Sequence, residues 1–251
     1  MTEFARAVVV EFEEAELELG PGRSDWFMLI GHGEPWRTPA GALIAHPSAS
    51  LIDLLVNEAG SAAGFTLESL SAFSLFCTMR DFVEKESREK ASCRELALSD
   101  PTLRTCAGPE AVDQLAILRP VQRFCDNLSV VRLMLSQAGD ADHQADLLDS
   151  QGLAAERDAY LEAIEDYYWN LSSAERSIVT NCVQLHDVFL LGVLLAGGAC
   201  SPEEYAEGVL AAHCVIPGVF DAVTKEGWAA SRAALIEDAK TMVRFRDTSR
   251  A

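Results

Sequence analysis

The spacing of apolar residues in this chain changes near residue 47, and no other feature constrains its fold as tightly. Before that point the sequence reads as short strands: 7–12, 15–19, 26–30 and 42–46. They are separated by the turn clusters Gly20-Pro21-Gly22 and Gly31-His32-Gly33. β-branched and aromatic side chains sit within these runs, where a pleated surface accommodates them. After residue 47 the apolar positions recur every three or four residues, the signature of amphipathic helices. The expectation is an α+β chain, with a small β-rich N-terminal domain at 1–47 followed by a larger all-helical domain at 48–251.

The helical part can be punctuated residue by residue. Pro47-Ser48 leads into Leu51, Ile52, Leu54 and Leu55. A helix is expected from Thr66 to about Lys90. Gly108-Pro109-Glu110 is a helix start, because proline in the first turn gives up no needed amide. Pro120 should kink or split that helix, whose second half runs to about Gln137. The acidic stretch 139–149 reads as a loop. Leu153 to Asn170 is amphipathic, with Tyr160, Ile164, Tyr167 and Tyr168 on the buried side. Ser172 with Glu175, and Ser201-Pro202-Glu203-Glu204, are capping boxes, in which hydroxyl and carboxylate each satisfy an orphan amide. The first should open a helix reaching about Ala196, stopped by Gly197-Gly198. A last helix is expected from about Glu226 to Arg246, with Lys240, Arg244 and Arg246 complementing the negative end of its dipole.

Charge and cysteine usage narrow the function classes. The formal net charge is -19. A surface of that sign repels phosphate backbones, so nucleic acid is not an expected partner, and a basic protein surface is favoured instead. The longest apolar run, 188–200, is well short of the roughly 20 residues a spanning helix needs. The first residues have neither an apolar secretory core nor the Arg-rich character of an organellar presequence. The seven cysteines lie scattered among apolar residues, with no pair at zinc or redox spacing, which fits a reducing compartment.

A search for chemistry returns little. Cys182 and His186 are four apart on one expected helix and share a face, as a nucleophile and base or a pair of metal ligands would. No third ligand or orienting group accompanies them, and the helix is apolar nearly all round, so a buried thiol and a hydrogen-bonded core histidine are the preferred reading. His186-Asp187 and His213-Cys214 are adjacent pairs that face different ways. Gly31-His32-Gly33 is too short to cradle phosphate and reads as a hairpin turn. Phosphate-binding, dinucleotide-binding, serine-elbow and zinc-protease motifs are missing. No cofactor and no metal are expected, and catalysis is not.

Three stretches together resemble a known family. The first is Gly33-Glu34-Pro35-Trp36-Arg37-Thr38-Pro39-Ala40-Gly41-Ala42-Leu43-Ile44-Ala45-His46-Pro47-Ser48. The second is Gly108-Pro109-Glu110-Ala111-Val112, with Gln114 and then Arg119-Pro120. The third is Leu185-His186-Asp187, an apolar helix, an acidic helix, and Ala211-Ala212-His213. In this order they resemble the Atp-twelve family, assembly chaperones for the alpha subunit of the mitochondrial F-type ATP synthase. The resemblance spans nearly the whole chain. It implies a β-rich domain joined to a helical one, with Arg37, Thr38, Pro39, Pro47, Gly108, Pro109, His186, Asp187 and His213 as motif positions that shape the fold.

The same resemblance implies a mitochondrial protein of the matrix, or of the matrix side of the inner membrane. Its partner would be the ATP synthase alpha subunit or the assembled synthase. The family continues after its Ala-Ala-His with acidic residues and a tryptophan, whereas this chain reads Cys214-Val215-Ile216-Pro217-Gly218-Val219-Phe220-Asp221-Ala222-Val223-Thr224. The residues nearest the family's partner-binding positions are therefore Asp221, Glu226 and Trp228. The apolar replacement also fits a resident accessory subunit, since permanent interfaces are more apolar than transient ones. An unrelated enzyme using Cys182 and His186 is the remaining alternative.

Overall fold

The computed structural model describes residues 4–8, 26–61, 70–88, 93–103, 114, 116–127, 154–213 and 225–251. Two compact units divide the chain: Met1–Glu86 with Thr241–Ala251, and Ser87–Lys240.

The first unit is built on an antiparallel sheet. Strands β1 (Phe4–Val8), β2 (Phe27–Gly31), β3 (Glu34–Pro35) and β4 (Ala45–His46) all meet at β2. The register runs from Phe4 opposite Gly31 to Val8 opposite Phe27, while Gly31 pairs Glu34 and Met28 pairs Ala45. Between β2 and β3, His32 and Gly33 have φ of 56° and 84°. Two consecutive left-handed residues make the tight turn whose twist matches that of the flanking strands, as the Gly31-His32-Gly33 cluster predicts. The expected strand at 42–46 contributes only its last two residues to the ladder. Leu43 makes an isolated bridge to Arg37 instead.

Helix α1 (Ala49–Ala59) lies on β1 and β2, burying Leu51, Ile52, Leu54 and Leu55. Its N-cap is Ser48, whose hydroxyl accepts from the Leu51 amide at 3.1 Å. Helix α2 is shorter than expected. It covers Ala72–Asp81, and Leu70 precedes it. The reason is local: Ser71 and Ser74 form a reciprocal capping box, and Glu58 reaches across from α1 to accept from the Ala72 and Phe73 amides at 3.0 and 2.8 Å. With those orphan donors satisfied, the helix starts here. The chain leaves it at Phe82 and makes a 3-10 turn, Val83–Lys85.

The second unit is helical throughout its described residues. It contains α3 (Cys93–Ser99), a 3-10 turn (Pro101–Leu103), α4 (Arg119–Asn127), α5 (Ala154–Asn170), α6 (Ser173–His186), α7 (Leu190–Gly197), α8 (Pro202–His213) and the first part of α9 (Lys225–Arg250). Pro120 stands in the first turn of α4 and separates it from the helical residues just before it, as expected. Tyr160, Ile164 and Tyr168 are the buried side of α5. Both capping boxes form: Ser172 with Glu175, and Ser201 with Glu204. The helix start at Gly108-Pro109 and the loop at 139–149 lie outside the described residues.

One expectation is corrected. The helix opened by Ser172 does not run to Ala196 but breaks after His186. Asp187 takes the left-handed conformation, φ 53°, with its amide donating back to Val183. The next helix is then capped from elsewhere. The carboxylate of Asp100, 2% exposed, accepts from the Phe189 and Leu190 amides at 2.6 and 2.7 Å through Oδ2. It accepts from the amide and hydroxyl of Thr102 through Oδ1. Burial pushes the Asp100 pKa up, and these donors oppose that rise. The break lets α7 fold back on α6. A side chain at Gly192 would place its Cβ 2.8 Å from the Cβ of Cys182, so the close approach requires glycine. Gly198, φ 77°, ends α7 as predicted.

Candidate functional site

Two of the motif residues, Thr38 in the first unit and His186 in the second, each sit in a small polar cluster. In the first unit, Arg37-Thr38-Pro39-Ala40-Gly41 forms a closed loop. The Thr38 amide donates to the Ala42 carbonyl at 2.8 Å, the Gly41 amide to the Thr38 carbonyl at 2.9 Å, and the Arg37 guanidinium to the Gly41 carbonyl at 2.9 Å. The Thr38 hydroxyl accepts from the Ala42 amide and donates to Asp81 on α2 at 2.5 Å. Thr38 and Asp81 are 4% and 8% exposed, so this pair is a desolvated, charge-assisted bond that pins the loop to the helix. Pro39 is exposed at the loop tip, and Pro47 directly precedes the Ser48 cap.

In the second unit, Cys182 and His186 do share a face of α6. Both turn towards Tyr205 of α8. The His186 Nδ1 lies 2.8 Å from the Tyr205 hydroxyl, and its Nε2 lies 3.5 Å from Asp238 Oδ2 on α9. A proton on Nε2 satisfies both contacts. Nδ1 then accepts from the phenol while Nε2–H faces the carboxylate. Tyr205 also bonds the Cys182 thiol. His213, at the end of α8, donates from Nε2 to the His186 carbonyl at 3.0 Å. That carbonyl is one of the orphans at the C-terminus of α6, so His213 closes the helix end. Asp187 is exposed and points away, as adjacency dictates.

The chemistry of this cluster is that of a brace. Burial pushes the Cys182 thiol up to about 12 and raises Tyr205 well above its usual value. A thiol held in its protonated form is not a nucleophile. Among the described residues no group of three or more His, Cys, Asp or Glu side chains is placed to hold a metal ion. What the cluster does is tie α6, α8 and α9 together by side chains whose polar atoms satisfy one another. A second tie links α8 and α9, where Arg232 donates to Glu207 at 2.6 Å.

The sequence points to Cys182, His186 and His213 but misses Tyr205, Asp238 and Asp81. Tyr205 follows a capping box and looks like an ordinary apolar-face residue. Asp238 sits between Leu235, Ala239 and Met242, an acid in an apolar stripe, and that was a legible signal of a buried partner. Asp221 lies outside the described residues. Glu226 and Trp228 fall in the first turn of α9, as expected of a helix starting there, but the description does not extend to their side chains. Gly108 and Pro109 lie outside it too.

Among the described residues, a four-stranded antiparallel sheet followed in sequence largely by helices defines an α+β protein. No protein-family model matches this chain, and no curated protein matches it. Solved structures do. It is similar to an aspartate-to-lysine variant of Atp12p from Paracoccus denitrificans, with 11% identity, a TM-score of 0.63, and coverage of 91% of this chain and 93% of that one. It is also similar to Atp12 from Paracoccus denitrificans, with 12% identity, a TM-score of 0.59, and coverage of 89% and 91%. The chain therefore has the Atp12 fold over nearly its full length, the fold that the resemblance in its motifs implies. No described helix is long and apolar enough to cross a membrane.

Proposed function

We propose that this chain is a non-catalytic protein of ATP synthase assembly that binds the alpha subunit before the synthase is complete. The observation that carries the reading is the likeness to Atp12 over about nine-tenths of both chains, joined to family motifs that occur in family order. The net charge of -19 supports a basic partner surface, through steering and complementarity. The interface is assigned to the start of α9 and the segment before it, with Asp221, Glu226 and Trp228 as contact residues. The compartment is the one where the synthase is assembled, the mitochondrial matrix or the matrix side of the inner membrane.

The test is retention of free alpha subunit on the immobilised chain. Wild type should retain it, and Asp221→Ala should weaken retention by about tenfold, the effect of losing one good interface contact. A wild-type chain that retains no alpha subunit would sink the reading. Undiminished binding by the variant would move the interface elsewhere.

A second reading is favoured by one observation, the apolar sequence Cys214 to Phe220 where the family is acidic. In that reading the chain remains in the finished complex as an accessory subunit. Purified intact synthase would then carry it at a fixed stoichiometry, and its absence from the complex would leave the transient role.

A further inference from the structure

The compact unit that holds the sheet is not continuous in sequence, for it includes Thr241–Ala251, the final turns of α9. These turns are not surface decoration. Met242 and Phe245 are fully buried. The Ser48 hydroxyl donates to the Thr248 carbonyl at 2.5 Å, joining residues 200 apart in the chain. The same hydroxyl accepts from the Leu51 amide as the N-cap of α1. One serine thus uses both its acceptor and its single proton: it starts the helix on the sheet and holds a carbonyl near the far end of the sequence.

We infer that residues 241–250 act as a clasp, a core element of the N-terminal unit delivered from the far end of the chain, so that this unit closes only when the clasp is in place. Two consequences follow. During synthesis the sheet and α1 wait for residues 200 positions downstream, and closing so long a loop is entropically costly. In the finished protein, release of the clasp is a local opening that exposes the first unit while α6, α7 and α8 stay folded. The inference does not depend on the proposed partner.

Hydrogen exchange on the full chain tests it, with variants that separate the two roles of Ser48. Ser48→Asp keeps an acceptor for the Leu51 amide but has no proton for the Thr248 carbonyl. Ser48→Asn keeps an acceptor and supplies a donor. Ser48→Asp should speed exchange at 241–250, and with it at 27–31 and 49–59, by about fivefold or more, the worth of one hydrogen bond. Ser48→Asn should recover most of the protection, and exchange at 173–213 should not change in either. Phe245→Ala, which removes the buried ring instead, should give the same regional pattern. Protection at 27–31 and 49–59 that survives both Ser48→Asp and Phe245→Ala would overturn the clasp. So would a loss spread equally over 173–213.

Discussion

Thr38 and Asp81 illustrate how much rests on single desolvated pairs. Both are almost fully buried, and the carboxylate accepts from the Thr38 hydroxyl and, at 3.4 Å, from the Ala40 amide. Thr38→Val preserves shape but leaves a buried acid short of its main donor, which should lower stability by about 1–3 kcal/mol. Thr38→Ser should stay near wild type, and urea midpoints of the two variants would distinguish the bond from the packing. Cys182 makes a prediction in pH. Its pKa rises from 9.0 in the exposed state to about 12 in the fold. Between those values the unfolded chain has lost a proton that the native chain keeps, so stability falls as pH rises from about 9. Cys77, also pushed up to about 12, acts in the same direction. Removing one contributor with Cys182→Ala should make the decline in denaturation midpoint between pH 9 and 11 shallower. An unchanged slope would place the thiol elsewhere than in this buried contact.

At the level of elements, the junction between α6 and α7 is the informative one. An all-apolar sequence from Val188 to Ala196 gives no reason to stop a helix, and the capping box at Ser172 suggests continuation through it. The break arises because Asp187 tolerates the left-handed conformation that aspartate and asparagine visit more readily than other side chains. It is then made worthwhile by Asp100, which caps α7 from 89 and 90 residues away in sequence. Asp100→Ala should strand two buried amides and cost about 2–3 kcal/mol. Thermal melts read that loss, with local exchange rising first at 188–192. A normal melting curve would mean that the amides find other acceptors. Helix α2 carries the same lesson in milder form. Its periodic apolar positions extend back to Leu67, but its start is set by Ser71, Ser74 and the distant Glu58. Apolar spacing locates a helix, and satisfied end groups decide where it begins.

Across the whole molecule, stability of the second unit depends on α7, which is buried nearly all round and packs on α6, α8 and α4. Leu190→Asp puts an unpaired charge at a fully buried position, and it should unfold the helical unit. Circular dichroism with a wild-type melting curve would show that the core lies elsewhere. The likeness to Atp12 at 11% identity is intelligible in these terms. A burial pattern and a set of satisfied helix ends can be met by many different sequences.

Some of this was determined by the sequence alone. The strand-to-helix change near residue 47, the hairpin turn at His32-Gly33, the helix that follows Pro47-Ser48 and the boxes at Ser172 and Ser201 all follow from short-range chemistry, in which each residue's partner lies within a few positions. The resemblance carried by the motifs adds the fold, because the order of those local signals is itself a signature. The tertiary structure decided what depends on partners far apart in the chain: Asp81 on Thr38, Asp100 on α7, Tyr205 and Asp238 on His186, and Thr248 on Ser48. A side chain's sequence neighbours do not reveal which remote backbone or charge will be buried against it. The places where helices break, and the polar groups that brace them, were settled only when those remote groups met.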